Sequence, residues 1–78
     1  MTDKLLHWHV TYRAYTAEGH VHNYLVTKSP GGDCWLAMKK LATLQTPVYD
    51  SVPGPRPRTR RAAMDNAEAF EVRVLAGG

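Results

Sequence analysis

The sequence predicts an α+β domain with a two-layer ββαβ architecture, in which a three-stranded antiparallel sheet carries one main helix. With 78 residues the chain is long enough for one domain, 1–78. Apolar and polar residues alternate over 5–28, apolar residues recur at helical spacing over 33–45, and alternation returns over 69–75. Between the helix and the last strand, 53–61 is a loop rich in proline and arginine.

The alternation over 5–28 predicts a β-hairpin. One strand ends at Tyr15, Gly19 supplies the turn, and a second strand begins at His20. We expect Tyr15 to pair with His20, although a slip of one residue would exchange the two faces of the hairpin. In this register one face carries His7, His9, Arg13, His20, His22 and Tyr24, and Trp8 and Val10 lie on the other.

The segments after the hairpin predict a helix, a brief second helix and the last strand. Pro47 ends the main helix of 33–45. Thr59 is placed to cap a short helix over 60–64, and Asp65 begins the turn that leads to the last strand. The apolar stripe of the main helix consists of Cys34, Ala37, Met38, Leu41 and Leu44, and the inward side chains of the last strand are Phe70, Val72 and Val74.

The net charge of +3 is a local feature of the chain. Four of the ten lysines and arginines lie between Arg56 and Arg61, and the other six are balanced by seven acidic residues. A uniformly basic coat for nucleic acid is therefore not expected. No apolar run reaches the roughly 18 residues of a membrane span, and the N-terminal residues do not follow the plan of a signal peptide. We expect a cytoplasmic protein, in a bacterial host cell if a phage encodes it.

The single cysteine, Cys34, excludes an intramolecular disulfide and a zinc site built on several thiolates. At the start of the predicted helix it could be a reactive thiol, because the helix dipole lowers a thiol pKa there. Its place on the apolar stripe favours the alternative, a buried core residue. The chain carries no phosphate loop, nucleophile elbow or zinc-protease motif, so we expect no enzyme, no cofactor and no metal.

Two histidines, His20 and His22, are spaced to lie on one side of a strand. They could share a metal ion, but no carboxylate or thiolate accompanies them in the pattern, and an exposed β face is the simpler interpretation. In a metal-free ribonuclease they would act as general base and acid, with Arg13 on the phosphate. Most of the arginine lies in the 53–61 loop instead, which disfavours that alternative.

The most distinctive segment is Pro55-Arg56-Pro57-Arg58-Thr59-Arg60-Arg61. Its guanidinium groups suit phosphates or an acidic protein groove, and its prolines reduce the entropy lost when the segment is ordered. The alternative is a solvated loop whose charges only keep it soluble. No aromatic residue is interleaved with these arginines, so a base-stacking platform is not predicted. The predicted partner-binding residues are Arg13, His20, His22, Arg56, Arg58, Arg60 and Arg61.

The plan of the whole chain resembles that of the small anti-CRISPR proteins carried by phages and mobile elements. That resemblance rests on size, low cysteine content and architecture, and it assigns no residues. It implies a non-enzymatic inhibitor that binds a host protein or ribonucleoprotein complex and blocks its action, with no membrane partner. A role in nucleic-acid binding through the arginine loop stays open, and an exposed Leu36 makes a homodimer possible.

The C-terminal segment from Phe70 to Gly78 resembles the last strand and free Gly-Gly of ubiquitin-like β-grasp proteins, including sulfur carriers. The resemblance implies that the carboxylate of Gly78 would be adenylated and then thiolated or conjugated. This sequence departs from that family in its longer hairpin and in the Pro/Arg segment that stands where the family has its middle strands.

Overall fold

The computed structural model describes residues 6–11, 13–32, 34–43, 45 and 48–77. These residues form a five-stranded antiparallel sheet followed by one helix. The predicted ββαβ architecture with a three-stranded sheet is therefore wrong, because a turn divides the first predicted strand and the segment predicted as the main helix contains a strand. The strands are in chain order, so each pairs with its sequence neighbour. No helix in the described part of the chain is long and apolar enough to span a membrane. The elements are β1 (Trp8–Thr11), β2 (Ala14–Glu18), β3 (His22–Lys28), β4 (Trp35–Leu41), β5 (Asp50–Ser51) and α1 (Arg60–Leu75).

The predicted first strand is divided into β1 and β2 by a tight turn. Thr11 pairs with Ala14, so two residues connect the strands, and Arg13 has a φ of 61°. A two-residue turn between antiparallel strands requires positive φ values, which glycine or asparagine normally supply. The sequence has neither glycine nor asparagine at this turn, so the alternation of apolar and polar residues predicted one continuous strand.

The hairpin of β2 and β3 is confirmed, but its predicted register is wrong. Tyr15 pairs with Val26 and Ala17 pairs with Tyr24, while His20 lies in the turn. The turn closes through the Gly19 amide, which donates to the His22 carbonyl at 2.8 Å. The β2–β3 loop is therefore three residues long, because strand pairing ends at Glu18.

The predicted helix over 33–45 is wrong, because the described part of this segment contains β4. Leucine, alanine, methionine and lysine all favour helices when the sequence is considered alone. Seven consecutive cross-strand pairs with β3, from Lys28–Trp35 to His22–Leu41, override that preference. Ala37 points into the core and Leu36 away from it, which is the alternation of a strand.

The predicted last strand over 69–75 is also wrong, since it is the second half of α1. The Thr59 cap is confirmed: its hydroxyl accepts from the Ala62 amide at 3.1 Å. The helix then continues through the predicted turn at Asp65. Residues spaced by one helical turn, Ala63, Ala67 and Glu71, are buried against the sheet. Ala63, Ala67 and Glu71 recur every four residues, but small residues and a glutamate indicate a buried helix face only weakly. The alternation of large apolar residues in Phe70-Glu71-Val72-Arg73-Val74 indicated a strand more strongly.

The helix covers one face of the sheet, chiefly over β3 and β4. The core on this covered face consists of Leu6, Ala17, Tyr24, Val26, Ala37, Val52, Ala63 and Ala67. The opposite face, here called the open face, carries no described element. Because Phe70–Leu75 belongs to α1, it does not form the strand that a β-grasp fold has before its Gly-Gly.

Candidate functional site

The Pro/Arg loop is attached to the edge of the sheet. The Trp35 amide donates to the Pro57 carbonyl at 3.1 Å, beyond the short pairing of β4 with β5. On its other side the Asn66 side chain of α1 donates to the Pro55 carbonyl at 2.8 Å. These two bonds hold the loop between β4 and the helix. Its arginines therefore have defined positions at one end of the domain.

Two of the predicted arginines contact the body of the protein. The Arg60 guanidinium lies 4.9 Å from the centre of the Tyr15 ring and donates to the Tyr15 hydroxyl at 2.7 Å. Arg56 donates to the Cys34 sulfur at 3.7 Å. The other two, Arg58 and Arg61, are exposed to solvent.

Two aromatic rings lie beside these cations. Tyr15 and Trp35 have ring centres 6.4 Å apart at an interplanar angle of 54°. Lys28 pairs with Trp35 across the sheet, and its ammonium lies 6.0 Å from the Trp35 ring. No aromatic residue is interleaved with the arginines in the sequence, but the fold places Tyr15 and Trp35 beside Arg60. The two rings are missed in the sequence because 45 positions separate Arg60 from Tyr15, and only the strand register brings them together.

A shallow cavity adjoins the two rings. Its volume is about 360 Å³, which is within the range of small-ligand sites. Val10, which is 76% exposed, contributes an apolar wall. The lining is Val10, Thr11, Arg13, Ala14, Tyr15, Lys28 and Trp35, so aromatic and aliphatic surface is combined with two basic side chains.

Arg13 reaches this cavity from a backbone conformation that is costly for an arginine. A non-glycine residue in the left-handed region costs about 1 kcal/mol, and glycine or asparagine would cost less. Outliers of this kind occur where the surrounding structure or the function requires them. The turn holds the guanidinium of Arg13, one of the predicted partner-binding residues, at the rim of the cavity.

Six cations lie together at one end of the domain, where β1 meets β2 and α1 begins, here called the basic end: Arg13, Lys28, Arg56, Arg58, Arg60 and Arg61. The helix dipole adds positive potential there, and the first turn of α1 contains no acidic residue. At the opposite end both signs of charge occur, because Glu18, Glu68 and Glu71 lie there with Lys39, Lys40 and Arg73. The arginines in the first helical turn oppose the dipole, so they do not stabilise the helix.

The histidines do not form the predicted face. His20 lies in the β2–β3 turn, whereas His22 begins β3 on the covered face. His9 pairs with Thr16 on the open face. In the described residues no three histidine, cysteine, aspartate or glutamate side chains come close enough together to hold a metal ion. The predicted grouping of His20 and His22 with Arg13 is therefore wrong, because Arg13 lies at the other end of the strands.

His22 packs edge-on against Phe70, with 5.3 Å between ring centres. Its Nδ1 atom is buried and has no hydrogen-bond partner among the described residues. Burial, and then the neighbouring Lys39 ammonium, lower the pKa of His22 below its ordinary value near 6.5, and Glu71 acts in the opposite direction. His22 is thus a half-buried histidine whose protonation the fold disfavours.

Cys34 is a buried residue just before β4, so the core interpretation is confirmed. The alternative of a thiol activated by a helix start is wrong, because this part of the chain forms no helix.

Glu71 is the residue whose environment the sequence did not indicate. It is fully buried, and its carboxylate accepts from the His20 amide at 2.6 Å, the Tyr24 hydroxyl at 2.7 Å and the Val21 amide at 3.4 Å. Burial, and then the bond to this carboxylate, raise the pKa of the Tyr24 hydroxyl. A Cβ on Gly19 would stand 2.8 Å from the same carboxylate. Glu71 therefore fastens the β2–β3 turn to the helix and has a structural role.

No protein-family model, no curated protein and no solved structure matches this chain.

Proposed function

We propose that this protein is a non-enzymatic binding protein that binds single-stranded nucleic acid at its basic end. The observation that carries the proposal is the Arg60 guanidinium on the ring of Tyr15, which together with Trp35, Arg13 and Lys28 lines a shallow cavity. Proteins that bind single strands combine a cationic groove with aromatic rings on which bases stack.

The cations of the basic end suit a phosphate backbone. Arg13 and Lys28 border the cavity on the strand side, while Arg58 and Arg60 lie on the loop and helix side. A strand that crosses the cavity would have its phosphates within reach of both groups. Arginines offer paired N–H donors that match phosphate oxygens.

The aromatic rings favour unpaired bases over a duplex. A base can stack only when its face is free, and the π-face of Trp35 and the guanidinium plane of Arg60 are both suitable partners. The cavity wall of Val10 and Ala14 gives the base an apolar surface. Such contacts tolerate any base, so we expect little sequence preference.

The test is fluorescence anisotropy with a labelled oligothymidylate of about 12 nucleotides. If four cations contact phosphates, log K should fall with log salt with a slope of about −3. Arg60→Ala should reduce the slope by about 0.7. Trp35→Leu should weaken binding about tenfold with the slope unchanged, whereas Trp35→Phe, which retains a π-face, should bind almost normally.

Arg73→Ala is the matched control, because Arg73 is exposed in the last turn of the same helix and far from the cavity. It should leave the affinity within about twofold of the wild type. The proposal is overturned if the oligonucleotide does not bind, if a duplex of equal length binds as tightly, or if Trp35→Leu has no effect. The proposal is also overturned if an acidic polypeptide with the same net charge as the oligonucleotide displaces it equally well. That result would indicate a protein partner instead.

The inhibitor of a host complex that the anti-CRISPR resemblance implies stays a prediction, as does chemistry at Gly78, which lies outside the described residues. A single-strand site would allow such an inhibitor to act on a nucleoprotein. The experiment above addresses the site itself, whichever larger assembly supplies the strand.

A further inference from the structure

The open face of the sheet carries aliphatic and threonine side chains at its centre. Two threonine hydroxyls at its margin already donate to backbone carbonyls, Thr11 to Ala14 and Thr27 to Arg13. Covering these two hydroxyls would therefore leave neither of them unpaired, which lowers the cost of desolvation at this margin. The row nearest the basic end is Thr11, Ala14, Thr27 and Leu36, and the next row is His9, Thr16, Leu25, Met38 and Ser51.

We propose that a second copy of this chain covers the open face, with the two-fold axis of the dimer parallel to β3. The axis places β2 of each copy opposite β4 of the other. The side chains then match in size, because Leu36 lies opposite Ala14 and Met38 opposite Thr16. Large residues facing small ones allow two sheets to pack without voids.

Charge selects the same axis. Glu18 on β2, Asn23 on β3 and Lys40 on β4 form one row across the open face. With the axis along β3, Glu18 of each copy faces Lys40 of the other, which gives two opposite-charge pairs. An axis perpendicular to the strands would instead place both charges against the apolar row at the other end, at a desolvation cost.

The interface is small. The five strands contain 25 residues, which at a rise of about 3.3 Å and a spacing of about 4.8 Å give about 400 Å² of sheet per copy, the size of a weak, transient interface. We therefore expect a weak dimer with a Kd in the high micromolar range. An axis parallel to the strands places both basic ends at the same end of the sandwich. If the proposed function is correct, one strand could engage both sites, and the dimer would gain avidity.

The test is sedimentation equilibrium of the full chain, from low micromolar to millimolar concentration, without nucleic acid. Glu18→Lys and Lys40→Glu each create two like-charge pairs, and each should raise the dimer Kd at least about tenfold. The double variant E18K/K40E restores both pairs and should dimerise as the wild type does. An equimolar mixture of the two single variants should form a heterodimer, because every contact across the axis is then between opposite charges.

Far-UV circular dichroism and thermal unfolding verify that each variant is folded, and Leu36→Glu provides an independent disruption of the apolar row. The proposal is overturned if the wild type is monomeric at all concentrations, or if the single variants dimerise as the wild type does. It is also overturned if the mixture of single variants stays monomeric. Because no nucleic acid is present, these outcomes do not depend on the proposed single-strand site.

Discussion

The buried carboxylate of Glu71 provides a sharp test of what stabilises this fold. We predict that Glu71→Ala destabilises the protein strongly, although Glu71 lies far from the basic end. Its carboxylate holds two donors at short distance, the His20 amide and the Tyr24 hydroxyl. The substitution leaves the Tyr24 hydroxyl without this partner in a buried position and the His20 amide without it in a part-buried one.

The magnitude follows from these two bonds. A hydrogen bond to a charged acceptor contributes about 1.5–3 kcal/mol to stability, and Glu71→Ala removes two of them. The substitution also removes the desolvation cost of the buried carboxylate, which offsets part of this loss. We estimate a net loss of about 3 kcal/mol. A domain of this size has a total stability of roughly 4–12 kcal/mol. The midpoint of thermal unfolding should therefore fall by roughly 12–24 °C.

The matched control is Glu68→Ala, one helical turn earlier. Glu68 is half-buried and, among the described residues, accepts one bond, from the Leu6 amide at 2.9 Å. Glu68→Ala should lower the free energy of unfolding by about 1 kcal/mol. Glu71→Gln, which retains an acceptor oxygen and nearly the same volume, should lie between the two alanine variants.

The assay is thermal and urea unfolding followed by circular dichroism, together with amide hydrogen exchange at His20. Loss of the carboxylate should remove the protection of the His20 amide before the rest of β3 is affected. If Glu71→Ala costs no more than Glu68→Ala, or if the His20 amide stays protected, the buried carboxylate does not fasten the turn and this reasoning is refuted.

Three further predictions concern the same region. Because the fold raises the pKa of Tyr24, unfolding releases its proton at high pH, and the free energy of unfolding should fall above about pH 10. Tyr24→Phe should make this fall with pH less steep, whereas the control Tyr49→Phe should not. The measurement is the free energy of unfolding as a function of pH. Because the fold lowers the pKa of His22, the unfolded chain binds a proton on this residue at a higher pH than the folded protein does. The free energy of unfolding should therefore fall as the pH drops below about 6.5. If His22→Gln shows the same fall of the free energy of unfolding with pH as the wild type, this prediction is contradicted. Gly19→Ala should lower the free energy of unfolding by about 2 kcal/mol, because the Cβ of the alanine would lie 2.6 Å from the His22 carbonyl oxygen. The measurement is urea unfolding. A change near zero would contradict this close contact between residue 19 and the His22 carbonyl.

The sequence by itself determined the features that depend on local chemistry. The turn at Gly19, the cap at Thr59 and the loop with three prolines are each specified by a few neighbouring residues. The clustering of positive charge between Arg56 and Arg61 is likewise a property of the sequence. Of the predicted fold only the coarse class, α+β, agrees with the structure, because the helical pattern over 33–45 falls where β4 lies and the alternation over 69–75 falls within α1.

Only the tertiary structure decided which segment is the helix and which residues meet. The segment that contains β4 is a strand because β3 and β5 pair with it, although its residues favour a helix. The last segment is a helix because Ala63 and Ala67 allow close packing on the sheet, although its valines alternate. The basic end arises in the same way: a register of cross-strand pairs brings Tyr15 beside Trp35, and the start of α1 places Arg60 on them. Propensity and charge are local quantities, whereas pairing and packing depend on residues distant in the chain, and at these positions the distant residues contribute the larger energy.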